Sequence, residues 1–529
     1  MRKIIRNALL TDGTGRPTYR GDLLMEGDRI QAVGGDIDCV ADWTTDAEGM
    51  AVTPGFIDIH RHPDYAAFDS QFGMGEQAQG IATIVGGNCG LSPVPMRAQN
   101  EAACRDFLAP CLGTSAEPLF SDLTNYFGRL GKRPLPVNMG MLAAAGAVLR
   151  YVKGFGNAPL TPSQMEEAQA LLRDELAAGA LGVSLGVMYA PECFATKQEY
   201  IRLLSAATPF ARPMCCHIRG EGATLVDSVA EVLDIARETE LPLHISHFKS
   251  TGKKNWRHLI FEAIQRIEDA RARGQDVTVD FYPYEAGAST LLSLVPNELI
   301  GNDQDAFLRE VGTSAGKAQM RAALYKHRDD WDNMVLDIGW ERITLSAAEG
   351  FEEYAGLDFA TLAQRMRLSD PSDAMCEILS ATHGRAGVVL MSMCADDVQT
   401  VARLPYSLLI SDALYGAGAA HPRQKGAFPR FLKQYVPQSL SFEEAIRKMT
   451  SMPAARLGIR ERGRLEAGCY ADIAMFDART LRDEATYEQP QRLSQGMKML
   501  MVNGETVWES EAQKCAGAGR ILLATSMPV

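Results

Sequence analysis

From Pro54 onward, short apolar runs alternate with longer amphipathic ones. "FIDIH", "ATIVGG", "VNMGMLAAA", "LGVSLGV", "PMCCHI", "LPLHISH" and "VTVDFY" have the length and character of buried strands. Between several of them the apolar period becomes that of a helix. "TPSQMEEAQALLRDELAAGA" is the clearest: Thr161 suits the N-cap, Pro162 the first helical position, Gln164 completes a capping box and Gly179 can close the C-terminus. "TLVDSVAEVLDIARETE" is another and runs directly into a strand. Repeated strand–helix units predict an α/β fold with a parallel sheet, and this many predict a (β/α)8 TIM-like barrel. Two further runs, "GVVLMSM" (387–393) and "SLLISD" (407–412), bring the strand candidates to nine for eight places, so one belongs elsewhere. The polar, irregularly periodic stretch at about 291–349 is expected to be an insertion over the barrel mouth.

The two ends of the chain read differently. "KIIRNALLTDG", "GDLLMEGDRIQAVG" and "GMAVTPG" near the N-terminus are short strands separated by turns, and "GRLEAGCYADIAMFDA" and "MKMLMVNGETVWE" near the C-terminus match them in character. Asn503-Gly504 between alternating apolar runs is a strong hairpin signal. Strands at both termini predict one small β-sandwich beside the barrel. The expected division is 1–53 and 455–529 for the small β-domain and 54–454 for the barrel.

Bulk properties narrow the function. The 529 residues, 46% of them hydrophobic, are ample for a packed core. A formal charge of −13 argues against nucleic acid or an anionic membrane surface as partner and favours a small-molecule substrate, leaving a homo-oligomer open. Arg6 interrupts the first apolar stretch, so there is no signal-peptide core, and no run reaches the length of a membrane span. A cytosolic protein is expected. The eleven cysteines, scattered and odd in number, read as reduced thiols, most of them in the core.

Barrel active sites gather where strands end at the C-terminal face, so the polar residues that terminate the apolar runs are the candidates. "FIDIHRH" supplies His60 and His62, two residues apart and hence on one face of an extended chain. "ATIVGGNCG" supplies Cys89, "PMCCHIRGEG" His217, "LPLHISHFK" His247 and "SLLISDA" Asp412. Any one of them alone is better read as structural: a satisfied histidine, a small buried cysteine, a helix N-cap. Their joint placement reverses that and predicts a zinc site with a carboxylate beside it. Of the remaining histidines, His244 is out of phase with His247 and is expected to face the helices. His258, His327 and His383 are expected to be superficial or structural, and His421, just beyond Asp412, near the mouth without being a ligand.

These residues resemble the amidohydrolase superfamily, and more closely its D-aminoacylase (N-acyl-D-amino-acid deacylase) family. The resemblance spans nearly the whole chain, through "PGFIDIHRHPD", "GGNCGLSPVP", "GALGVSLGVMYAP", "CHIRGEG", "LHISHFKSTGKKNW", "DFYPYEAGAST", "ISDALYG", "HPRQKGAFPRFL" and "GRLEAGCYADIAMFD". It implies an amidohydrolase-type barrel with a tight zinc held by Cys89, His217 and His247, and His60 and His62 near a weaker second metal. It also implies Asp412 as the catalytic acid–base, and Lys249, Tyr284 and Arg423 at or near the substrate carboxylate. The implied reaction is zinc-dependent hydrolysis of N-acyl-D-amino acids. Other superfamily branches bridge two metals with a carboxylated lysine on the fourth strand, and "LGVSLGVMYAP" has none. That absence weighs against a cyclic-amide hydrolase of the hydantoinase type, and the complete set of candidate ligands weighs against a non-catalytic scaffold. Two departures bear on substrate choice: "AGAVLR" at 145–150, where many relatives carry a "GH..LR" block, and the small residues that follow Asp412.

Overall fold

The computed structural model describes residues 1–529 except 302, 329–330, 417–420, 437, 515–516 and 525–529. Eight strands run in parallel order: β1 (Phe56–Asp58), β2 (Ile81–Gly86), β3 (Asn138–Met141, resumed at Ala143–Ala144), β4 (Val183–Gly186), β5 (Met214–His217), β6 (Leu243–Ile245), β7 (Val277–Phe281) and β8 (Ser407–Leu409). Each pairs with the next from β1 to β8. The seam closes just beyond the last strand, where Arg61 and Ala413 form a parallel bridge, His62 N donates to Ala413 O (3.0 Å) and Asp412 N to His60 O (2.9 Å). Closure leaves no barrel edge and brings the segment after β8 against the segment after β1.

The helices form where their caps dictate. Thr161 Oγ1 accepts from Gln164 N and Gln164 Oε1 from Thr161 N, the reciprocal box that starts Pro162–Ala177. Leu225–Thr239 presents Leu225, Val229, Val232 and Ala236 to the barrel at helical spacing and leads into β6.

The ninth strand candidate belongs elsewhere, as the excess required. Gly387–Leu390 is the middle strand of a small antiparallel sheet, flanked by Gly287–Thr290 and Ile343–Ala347. Behind this sheet lies a second hydrophobic core that runs from Leu291 to Leu390 and includes Leu324, Ile338, Phe359 and Leu379. The stretch 291–349 reads as polar because its short helices bury only one or two apolar side chains each.

The termini meet in one nine-stranded sheet. Ala51–Pro54 pairs antiparallel with Ile473–Phe476 and the chain runs straight on into β1, which ties this sheet to the barrel. Asn503 and Gly504 both adopt positive φ, 50° and 79°, the signature of a tight hairpin turn, between Met497–Val502 and Glu505–Glu509. Among the described residues no helix is long and apolar enough to cross a membrane.

Candidate metal centre and substrate cavity

The strand ends surround a cavity of about 300 Å³, lined by His62, Cys89, His217, His247, Lys249 and Asp412 among others. Its lining is mixed: Leu91, Val187, Met188 and Tyr189 from the barrel and Leu294 and Leu390 from the insertion are apolar, while Arg219, Ser293, Asn297 and Asp332 are polar or charged.

Three overlapping groups of metal-ligating atoms lie at its floor, each with its atoms within 4.8 Å of one another: His60, Cys89 and His247; His60, His62 and Asp412; His217, Glu221 and His247. His60 and His247 each belong to two groups, so the set is one continuous array. His60 Nε2 is 3.2 Å from Cys89 Sγ, and Cys89 Sγ is 3.6 Å from His247 Nε2. His62 Nε2 is 3.2 Å from Asp412 Oδ1, with His60 Nε2 at 3.6 Å from the same oxygen. His217 sits at the far end, its Nε2 3.0 Å from Met188 Sδ and its ring 4.3 Å from that of His247. Cys89 and His247 are thus joined most directly by His60, and His217 meets them through His247.

The local backbone is unusual at these positions. Cys89, His247 and Asp412 have φ of 55°, 36° and 50°, a left-handed conformation that non-glycine residues rarely hold, at a cost on the order of 1–3 kcal/mol each. Neighbours enforce it. Asn88 Nδ2 donates to the carbonyls of Val85, Ile59 and Arg61 (3.0, 3.2 and 3.3 Å), tying the cysteine turn to the His60–His62 segment. His247 N donates to Asp280 Oδ1. The seam bonds hold Asp412.

A Cβ built on Gly186 would come 1.9 Å from the carbonyl oxygen of Cys89, so the cysteine turn fills the space at the tip of β4 and leaves room there only for glycine.

Charge is arranged in pairs. Burial works against ionisation of Asp412, but Arg423, with Nη1 2.9 Å from Asp412 Oδ2, and the neighbouring His62, His60 and His247 together outweigh it and hold the carboxyl well below its usual range. Arg423 is 1% exposed and lies outside the cavity lining, and its other contacts are the Tyr282 ring face at 4.7 Å and a long bond to Ala288 O. Its Nη1 makes no well-aligned hydrogen bond, so the contact with Asp412 is one of charge. Lys249 lines the cavity, with Nζ 2.5 Å from Glu221 Oε1 and 2.8 Å from both Nδ1 and O of His247. Tyr284 is buried outside the lining, its ring 5.1 Å from that of His421 and beneath Arg430, its hydroxyl without a partner. Burial lowers His62 to about 4 and, with Asp412 and Asp280 nearby, raises the Cys89 thiol well above its usual value.

One expectation changes. His244 does not face the helices: it is buried, with Nε2 2.9 Å from Asp280 Oδ2. Alternation counted back from His247 fails because the strand ends at Ile245 and the left-handed turn at His247 shifts the phase. Residues 417–420 of the small-residue stretch after Asp412 lie outside the described residues. In "AGAVLR", Arg150 is buried and donates to Gly90 O (3.0 Å) and Ser92 O, bracing the cysteine turn from outside.

Asp280 and Glu221 belong to the site and were not singled out from the sequence. Asp280 had a signal, an acid at the end of the otherwise apolar run "VTVDF". Glu221 follows His217 by four residues in an irregular turn, where no periodicity points to it.

The donor set fits zinc. A thiol, imidazoles and carboxylates converge as borderline-soft and oxygen ligands, and the buried Nδ1 atoms of His62 and His217 have no hydrogen-bond partner among the described residues. A thiol so buried needs a cation beside it to ionise.

Comparison with known proteins agrees with this picture. Residues 133–508 match the amidohydrolase family. The chain is 31% identical over 525 residues to a D-aminoacylase from Alcaligenes xylosoxydans xylosoxydans, covering 99% of this chain and 98% of that one. It superposes with a TM-score of 0.83 on an N-acyl-D-glutamate deacylase from Bordetella bronchiseptica solved with zinc and a phosphonate mimic of the tetrahedral intermediate, at 29% identity and 99% coverage of both chains. A D-aminoacylase structure described for its binuclear metal centre gives a TM-score of 0.81 at 30% identity, covering 98% of this chain and 99% of that one.

Proposed function

We propose, for a chain that belongs to the amidohydrolase family and to its D-aminoacylase branch, that the cavity hydrolyses the amide bond of N-acyl-D-amino acids with the help of zinc. The observation that carries this reading is the convergence of Cys89, His60, His247, His62 and Asp412 on the floor of one cavity. Zinc is assigned to Cys89 and His247, with His60 and His217 on either side, and His62 with Asp412 flanks a weaker second position. When bound, zinc supplies Lewis acidity, polarising an acyl carbonyl and acidifying water toward neutrality.

The chain's own residues do the rest. Asp412, kept ionised by Arg423 together with the surrounding histidines, is in the form that accepts a proton, and its Oδ1 faces His62 and His60 on the cavity side. It takes the proton from the attacking water and returns it to the departing amine nitrogen, base first and acid second. Lys249, a lining cation beside Glu221 and His247 at the cavity floor, is assigned to the free carboxylate of the substrate. The apolar part of the lining takes the acyl chain or the side chain and keeps bulk water from the amide.

Chelation tests the metal requirement. Stripping metal should abolish hydrolysis of N-acetyl-D-amino acids, and about one equivalent of zinc should restore it; full turnover by metal-free protein would overturn the assignment.

Arg423 is assigned to Asp412 and not to the substrate, because it is sealed from the cavity. Arg423→Ala should lower kcat by about 10- to 100-fold, as loss of a supporting partner does, for free-acid and amidated substrates alike. A loss confined to free acids, measured as kcat/KM on both, would return Arg423 to the substrate carboxylate.

A further inference from the structure

We infer that Arg456, Thr278 and His244 are positioning residues for the metal centre: a line of hydrogen bonds entering from the opposite end of the barrel fixes the proton of His60 on Nδ1 and leaves Nε2 for the site. The inference rests on the proposed reading of His60 as a site residue, but its chemistry is set by atoms outside that site.

The line begins where its direction is certain. Arg456 closes the helix Ser451–Arg456 at the start of the strands, with a side chain 5% exposed, its Nη2 donating to Leu243 O (2.7 Å) and its charge paired with Asp276 at 2.9 Å. A guanidinium only donates, and Arg456 Nε donates to Thr278 Oγ1 at 2.5 Å. Thr278 pairs in register with His244, and its Oγ1 lies 2.7 Å from His244 Nδ1. At the other edge of that ring, Nε2 lies 2.9 Å from Asp280 Oδ2. An ionised carboxylate only accepts, so His244 Nε2 carries the proton. With that proton on Nε2 the neutral ring presents a bare Nδ1, and because Thr278 Oγ1 already accepts from Arg456, the Thr278 hydroxyl turns its own hydrogen toward that nitrogen.

The same oxygen, Asp280 Oδ2, lies 3.1 Å from His60 Nδ1, which must therefore also donate. His60 Nε2 is left facing Cys89 Sγ and Asp412 Oδ1. Asp280 is fully buried, and its second oxygen accepts from His247 N, so one carboxylate sets the ring of His60 and the strained backbone of His247 together. A partner of this kind orients a ligand histidine and selects the atom it offers. Here the carboxylate is itself held by a neutral histidine whose orientation is dictated from the far end of the barrel.

Two measurements test the relay. In metal-free protein labelled with nitrogen-15 at histidine and assigned through His244→Gln and His60→Asn, His244 should show a protonated Nε2 with a bare Nδ1, and His60 a protonated Nδ1. Thr278→Val, which keeps the volume and removes the hydroxyl hydrogen, should shift the His244 nitrogen signals and weaken zinc retention against a chelator by about 10- to 100-fold. Thr278→Ser should recover both to within a few-fold, and thermal unfolding should show that each variant is folded. A bare Nδ1 on His60, a His244 protonated on Nδ1 instead, or a Thr278→Val protein with native nitrogen signals and native zinc retention would overturn the inference. A native protein that retains no zinc would instead sink the proposed function, and the nitrogen signals alone would then decide the relay.

Discussion

Asp412→Asn is expected to lower kcat for N-acyl-D-amino acid hydrolysis by about 10²- to 10⁴-fold, the range lost when a positioned acid–base is removed. The substitution keeps size and shape and removes the group that accepts and returns the proton. Because the Cys89–His247 pair lies on the other side of His60, zinc content should stay near its native value. The change also leaves Arg423 buried without its charge partner, so a loss of stability should accompany the loss of turnover. Metal analysis and a melting curve separate the two effects. Turnover within a few-fold of native would remove Asp412 from the chemistry.

Cys89→Ala is expected to be more damaging still, removing tight zinc and activity together. Cys89 is the sole sulfur ligand in the array and stands between His60 and His247. Alanine offers no donor, and the remaining imidazoles cannot draw together because Asp280 and the seam hold them apart. The turn itself should survive, since Asn88 rather than the thiol ties it to its neighbours. Folded Cys89→Ala protein with full zinc by metal analysis and full turnover would contradict the assignment.

Much of this architecture is readable along the chain because it is local. The capping box at Thr161, the hairpin at Asn503-Gly504 and the apolar runs of β1 to β8 are each set by a few adjacent residues. The His60–His62 pair is legible for the same reason: extended pairing continues through Arg61, so alternation holds to the end of the motif. Legibility fails where the backbone leaves regular geometry. His244 was placed on the wrong face because a left-handed turn at His247 breaks the count. The pairing of Arg423 with Asp412 is not legible because no helix or strand period joins the two positions. The extent of the insertion core was hidden in short helices whose individual apolar faces are too small to register.

The central claim is stereospecific, zinc-dependent cleavage of a linear N-acyl amino acid. Its most direct test supplies zinc-loaded protein with racemic N-acetyl amino acids and follows the configuration of the released amino acid by chiral chromatography, beside a cyclic amide such as a hydantoin. Release of the D-amino acid to near half conversion, with the L-substrate and the hydantoin left intact, is the result predicted here. Release of the L-amino acid, or ring opening of the hydantoin in place of deacylation, would contradict it.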